Sequence, residues 1–176
     1  MREPISLVWL KRDLRLQDHK PLAEAVKEGY PVLLLFCYEP VLAEHDHSSE
    51  RHFRFIQQSL TDLDQQLQAY RTQVLKPYAS VLSAFQHIAA SYPVHKVFSY
   101  EETGLWVTYE RDKAVAQWLK SQGIPWQEFT NNGVFRGIQD RTNWAPWWYQ
   151  FMKAPTDDPD FGKARFLPAT EVEALQ

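Results

Sequence analysis

Five charged side chains, Lys11, Arg12, Asp13, Arg15 and Asp18, fall within eight residues directly after the apolar run "ISLVWL". At the end of a buried strand, lysine and arginine can reach over a crevice to a planar anionic ligand. Aspartates in the same stretch can instead cap turns and pair with the arginines, a role that needs no ligand. The two readings are compatible, with Asp13 and Arg15 structural and Lys11 and Arg12 facing a pocket. Other reactive groups are sparse. Cys37 is the single cysteine and lies in the apolar run "PVLLLFCY", which reads as a buried structural thiol and provides neither a disulfide framework nor a thiolate zinc site. His45, Asp46, His47 and His52 are metal-like in type, but their spacing lacks an organising turn and reads as a solvated loop, so no metal site is expected. The six glycines are scattered, and neither a GxGxxG nor a GxxxxGK[ST] loop follows the first apolar run. With no nucleophile elbow either, no catalytic residue is assigned to this chain.

These side chains must be placed by the elements around them. Apolar runs at 5–10, 31–38, 72–77, 95–100 and 124–129 read as strands. Segments of helical period lie between them, the clearest carrying Phe53, Ile56, Leu60, Leu63, Leu67 and Tyr70 at alternating steps of three and four. Ser48 and Ser49 precede that stripe as N-cap candidates, and "PLAEAVKEG" runs from Pro21 to Gly29, the usual order of helix punctuation. "SVLSAFQHIAASY" and "YERDKAVAQWLKSQG" supply two more helices. Strands alternating with helices, the first strands almost continuously apolar, predict a doubly wound, Rossmann-like α/β domain: a parallel sheet of about five strands with helices on both faces. Ligands of such sheets sit outside the carboxyl ends of the strands, where the strand order reverses. The charges at 11–18 leave the first strand at that end.

The 176-residue length fits one core, and 44% hydrophobic with 14% aromatic residues can fill it. A formal charge of -3 argues against a polyanion-binding surface spread over the whole chain. No segment reaches the ~18 uninterrupted apolar residues of a membrane span, and no cleavable leader is seen, so the expected setting is cytoplasmic. Beyond residue 130 the pattern changes. Residues 1–130 read as the α/β domain, 131–152 as an aromatic-rich interdomain segment and 153–176 as an extended, Pro-containing linker. Trp144, Trp147, Trp148, Phe151 and Met152 crowd the middle segment and predict an exposed apolar patch that self-associates.

The stretch "VWLKRDLRLQDHKPLAEA" resembles the opening signature of the DNA photolyase and cryptochrome family, with His19 where the family usually has Asn. "SSERHFRFIQQSLTDLDQQL", "VFSYEETGLWVTYERDKAVAQWL" and "NGVFRGIQDRTNWAPWWYQFM" are similar to further segments of that family, in the same order. The resemblance implies the N-terminal domain of a deoxyribodipyrimidine photolyase-like flavoprotein, which holds an accessory light-harvesting chromophore. A larger helical domain, absent from this chain, would bind FAD and the DNA lesion and carry out light-driven repair of pyrimidine dimers. Partners implied are that FAD-binding domain and, through it, DNA. Cryptochrome-type signalling shares the same N-terminal domain. A chromophore-free scaffold or interaction module is the alternative from a different class. For the antenna, the resemblance and the strand-end rule give Lys11, Arg12, Asp13, Cys37, Tyr38, Glu39, Arg51, Tyr100, Glu101 and Glu102 as candidate binding residues. Arg51 could instead make a helix-surface ion pair, and Glu101 and Glu102 could cap the helix that follows. Folate-binding relatives carry an Asn-Glu pair shortly before the Arg-Asp, and "TGLWVTYERD" has none. Deazaflavin or flavin mononucleotide, or no antenna, is what the resemblance leaves.

Overall fold

A computed structural model of the chain describes residues 2–134 and 136–176. Its centre is a parallel sheet of β1 (Ile5–Leu10), β2 (Val32–Phe36), β3 (Val94–Tyr100) and β4 (Trp126–Phe129) in the order β2-β1-β3-β4. β1 pairs with β2 from Ser6↔Val32 to Leu10↔Phe36 and with β3 from Ser6↔Lys96 to Trp9↔Ser99. The strand order therefore reverses between β1 and β3. The expected strand at 72–77 lies along the outer edge of β2, held by isolated parallel bridges Leu35↔Leu75 and Tyr38↔Tyr78. Pro77 has no N–H to continue that ladder, so the sheet has four regular strands and a fifth, bridged segment.

Alternation along β1 divides the core. Leu7 and Trp9 point to one face, packing with Val81, Phe85 and Ile88 of α4 (Val81–Ser91) and Val115 and Leu119 of α5 (Trp106–Ser121). Val8 and Leu10 point to the other, against Leu22 and Val26 of α1 (Lys20–Lys27) and Leu60, Leu63 and Leu67 of α3 (Glu50–Leu67). The apolar stripe of α3 thus does two jobs: its C-terminal half fills the core, while Phe53 and Ile56, nearer the helix start, overhang the sheet end. Ser49 is the N-cap residue, as its position before the stripe predicts.

The segment from 153 onward is irregular between Ala154 and Phe166, with a turn at 161–163, and it is not a free linker. Val32 N–H donates to Arg165 O at 2.8 Å and Leu167 N–H donates to Val32 O at 2.9 Å. Leu167, Val172 and Leu175 are buried beside Ile5 and Leu33, the latter two from the short helix around Ala169–Glu173. The apolar residues between the prolines lie along the open edge of β2, which a reading of composition alone does not reveal.

Candidate functional site

At the C-terminal ends of β1 and β2 lies a cavity of about 550 Å³. Trp9, Leu10 and Leu14 form its floor on the β1 side, and Phe36, Cys37 and Tyr38 form it on the β2 side. Leu42 closes one wall from the short helix Pro40–Ala43, Phe53 and Ile56 descend from α3, and Leu105 with Thr108 come from the start of α5. Polar groups stand at the edges: Arg12, Glu39, His47, Ser48, His52, Glu102 and Arg111.

The opening charges separate by role. Asp13 is buried, and its Oδ1 accepts from the backbone N–H of Lys11 at 2.9 Å and of Arg12 at 3.1 Å. Its Oδ2 lies 2.6 Å from His19 Nε2, while His19 Nδ1 accepts the Leu22 N–H at 3.1 Å as the N-cap of α1. An imidazole accepting at Nδ1 carries its proton on Nε2 when neutral, so it donates to Asp13. His19 therefore performs the capping that an asparagine could perform there, and also seats Asp13. Burial works against the Asp13 carboxylate, but the hydrogen bond from His19 and the bond from Lys11 N–H hold it below the ordinary aspartate range. Asp13 ties the strand-to-helix turn and does not line the cavity.

Lys11 is also turned inward. Its ammonium lies 2.7 Å from Asp112 Oδ2, 3.8 Å from Glu128 and 4.2 Å above the Trp9 ring, and burial pushes its pKa down despite Asp112. Arg111 is the hub of the network. It meets Glu39 at 2.5 Å, Asp112 at 2.8 Å and Glu102 at 3.3 Å, with its guanidinium 4.7 Å over Trp9. Burial opposes its charge, and the carboxylates of Asp112 and Glu39 outweigh burial and raise its pKa. For Glu39 burial outweighs the Arg111 attraction and raises the carboxyl above its usual range. Burial likewise pushes the Cys37 thiol up to about 12, which leaves it an inert wall group.

Arg12 alone among the three leading charges points outward, its side chain 62% exposed and 3.3 Å from Glu102 Oε1. Glu102 Oε1 also accepts the backbone N–H groups of Thr103 and Gly104 at 3.0 and 2.8 Å, which closes the turn before α5; the helix itself starts at the N-cap Leu105 with no side-chain cap, so neither glutamate caps it. Glu101 is engaged through its backbone, its N–H donating to Phe129 O at 2.8 Å, and lies outside the cavity wall. Tyr100 is buried against His19 and faces a different hollow; its hydroxyl accepts the Lys20 N–H at 3.0 Å. Arg51 is exposed at the start of α3, off the cavity wall and with no ion pair among the described residues. Of the ten residues expected from the sequence, Lys11, Arg12, Cys37, Tyr38, Glu39 and Glu102 reach the cavity, while Asp13, Arg51, Tyr100 and Glu101 do not. Trp9, Arg111 and Asp112 were not foreseen as site residues. The Arg-Asp pair was visible in "VTYERD", but only the sheet order brings it under Glu39 and Lys11.

The cavity lies outside the carboxyl ends of the strands and reaches from β2 across β1 to the segment after β3, beside the strand-order reversal where a doubly wound sheet holds a ligand. Comparison with known proteins gives this arrangement a context. The sequence pattern described as DNA photolyase matches residues 6–143. The chain belongs to the DNA photolyase family. Cryptochrome-1 of Arabidopsis thaliana is 30% identical over 163 residues, covering 86% of this chain and 23% of that protein. A cryptochrome of Synechocystis sp. PCC6803 superposes with a TM-score of 0.75 at 22% identity, over 96% of this chain and 38% of that one. An archaeal photolyase from Sulfolobus tokodaii, solved with two FAD molecules, superposes at 0.72 and 19% identity, over 97% of this chain and 40% of that one. This photolyase-family chain therefore spans well under half the length of these relatives, matching their N-terminal α/β part. The cavity is of small-molecule size, with the rings of Phe36 and Phe53 on its walls and Arg12, Glu102 and the loop before α3 at its polar edge, while the Trp9 ring is already covered by Lys11 and Arg111. Among the described residues no helix is long and apolar enough to cross a membrane.

Proposed function

We propose that this chain is the light-harvesting-chromophore domain of a deoxyribodipyrimidine photolyase, with the cavity at the ends of β1 and β2 as the chromophore site. The cavity itself carries the reading: about 550 Å³ lies within the range of small-molecule sites, and its apolar walls with few polar groups suit a fused aromatic ring. A ring held there would supply near-ultraviolet or blue absorption to a flavin bound by a helical domain. The residues of this chain bind and position. Phe36, Phe53, Ile56 and Leu105 exclude water, and the Arg111 network fixes the relative places of Glu39 and Glu102. In the whole protein the substrate is a pyrimidine dimer in DNA, extruded from the stack to reach the flavin. The exposed face of the helix Trp144–Met152 is the surface that meets the helical domain, and in the isolated chain it is free to meet a second copy.

A flavin or deazaflavin is favoured over a folate. The segment before Arg111 lacks the Asn-Glu pair of folate-binding relatives, and the Sulfolobus tokodaii photolyase was solved with two FAD molecules. Cryptochrome-type photoreception is the second reading, favoured by the identity to the Arabidopsis thaliana protein. A cytoplasmic location accords with the single cysteine. Titrating the purified chain with riboflavin while following ring fluorescence and its polarisation tests the site. Quenching with raised polarisation is expected, and Leu42→Trp, which fills the cavity from its wall, should abolish both. A chain that leaves the fluorescence of added flavins and folates unchanged is a scaffold instead.

A further inference from the structure

The cations around the cavity are already committed. Lys11 is neutralised by Asp112, and Arg111 is shared among Glu39, Glu102 and Asp112, both out of water. Arg12 is the cation at the rim that could swing to a ligand, and two features park it. Glu102 draws its guanidinium to 3.3 Å, and Gly104 leaves the space in which that guanidinium lies, since a Cβ there would run into it. We propose that Glu102 and Gly104 make this a site for a planar ring without a phosphate, so that Glu102 is a specificity-determining residue that withholds Arg12 from anionic ligands.

The inference rests on the chromophore reading of the cavity and sharpens it to a ligand class. Bringing a phosphate to a cavity needs a cation or several unsatisfied N–H groups aimed at it. Drawing Arg111 away would strand the buried carboxylates Glu39 and Glu102, which is costly for charges out of water. Moving Lys11 would strand Asp112 in the same way. Arg12 could be recruited only by breaking its bond to Glu102, whose Oε1 also holds the turn at Thr103 and Gly104. The imidazoles of His47 and His52 at the mouth add charge only when protonated. A neutral ring with a hydroxylated or no side chain enters without any of these rearrangements, its flat face on the aromatic walls.

Binding of riboflavin, FMN and FAD, each titrated into the full 176-residue chain at a pH above the ordinary imidazole range, distinguishes the outcomes. For the wild type, riboflavin is expected to bind at least as tightly as FMN, with FAD weaker than both. Glu102→Gln and Gly104→Ala release Arg12 by different routes, one removing its partner and the other its space. Each should shift the FMN-to-riboflavin affinity ratio toward FMN by about fivefold, the scale of an exposed charge-assisted contact, and added salt should erase that gain. FMN binding about tenfold tighter than riboflavin to the wild type, or ratios unchanged in both variants, overturns the inference while leaving the chromophore site intact. Failure of all three to bind overturns the chromophore reading itself, and the inference falls with it.

Discussion

The C-terminal tail and the aromatic helix before it answer differently to the same hydrophobic drive. The helix Trp144–Met152 packs three Trp, a Tyr, a Phe and a Met into nine residues and buries none of them. Trp144 is 39% exposed, Tyr149 57% and Met152 53%. The tail that follows is poorer in large apolar groups, yet Leu167, Val172 and Leu175 are among the most buried residues of the chain. Apolar content therefore does not decide burial; an open complementary surface does. The helices packed on both faces of the sheet leave no vacant face for another. The outer edge of β2, by contrast, was covered only at its C-terminal half by residues 75–78, and the tail takes the other half at Val32. It also clamps the first turn: Asp18 N–H donates to Asp158 Oδ1 at 2.8 Å, and His19 N–H donates to Asp157 O at 3.0 Å.

The comparison breaks most directly at Leu167. If the tail is part of the core, Leu167→Ala should cost about 2–5 kcal/mol, the range for truncating a buried leucine, read as a lowered urea midpoint with unchanged slope. A loss under about 1 kcal/mol would mean that the tail only rests on the edge. A smaller effect is expected where the tail meets the turn. Asp13→Asn places an amide opposite the His19 Nε2–H and weakens the seat on which residues 157 and 158 close, at a cost of about 1–3 kcal/mol. Its sign with pH follows from the lowered Asp13 pKa. The carboxylate contributes fully above the ordinary aspartate value of about 3.9; that contribution is lost as pH falls through the lower folded value. The gap between wild type and Asp13→Asn should therefore hold at neutral pH and close in acid, as thermal melts across that range would show. A gap that stays constant into strong acid would assign the cost to shape rather than charge.

How much of this could be read from the chain divides along the same line. β1 and β2 announced themselves because strands buried on both faces are continuously apolar, and α3 because six residues keep one helical face. The location of the site was legible too, since charges that leave the carboxyl end of the first strand have nowhere else to go. The pairing of those charges was not. Lys11 and Asp112 are 101 residues apart in sequence and meet only because β1 and β3 are neighbours. Arg51 lies in the expected helix but on its outward side, and one helical step separates it from His52, which does reach the cavity. Tyr100 lies at the expected strand end, yet on the face of β3 that turns toward His19. A one-residue alternation settles such cases, and it is fixed by register rather than by composition.

The smallest expected effect concerns the helix that stays outside. Its aromatic groups satisfy one another along the surface: Trp147 stacks on Phe151 at 5.4 Å, and Trp144 lies 6.0 Å from Trp148. Trp148 also packs over Gly133, where a Cβ would come within 2.6 Å of its ring. Contacts of this kind between residues four apart stabilise a helix only slightly, and Trp144 and Tyr149 keep much of their surface in water. The double change Trp144→Ser with Tyr149→Ser should accordingly alter the unfolding free energy by no more than about 0.5 kcal/mol, against several for Leu167→Ala. Its consequence should appear in association instead. An exposed aromatic patch of this kind favours self-contact. The wild-type chain should sediment faster as concentration rises, and the double variant should remain monomeric over the same range. A double variant that loses stability as Leu167→Ala does, with no change in sedimentation, would show that the helix is held by the α/β body after all, and that the two regions differ in composition but not in role.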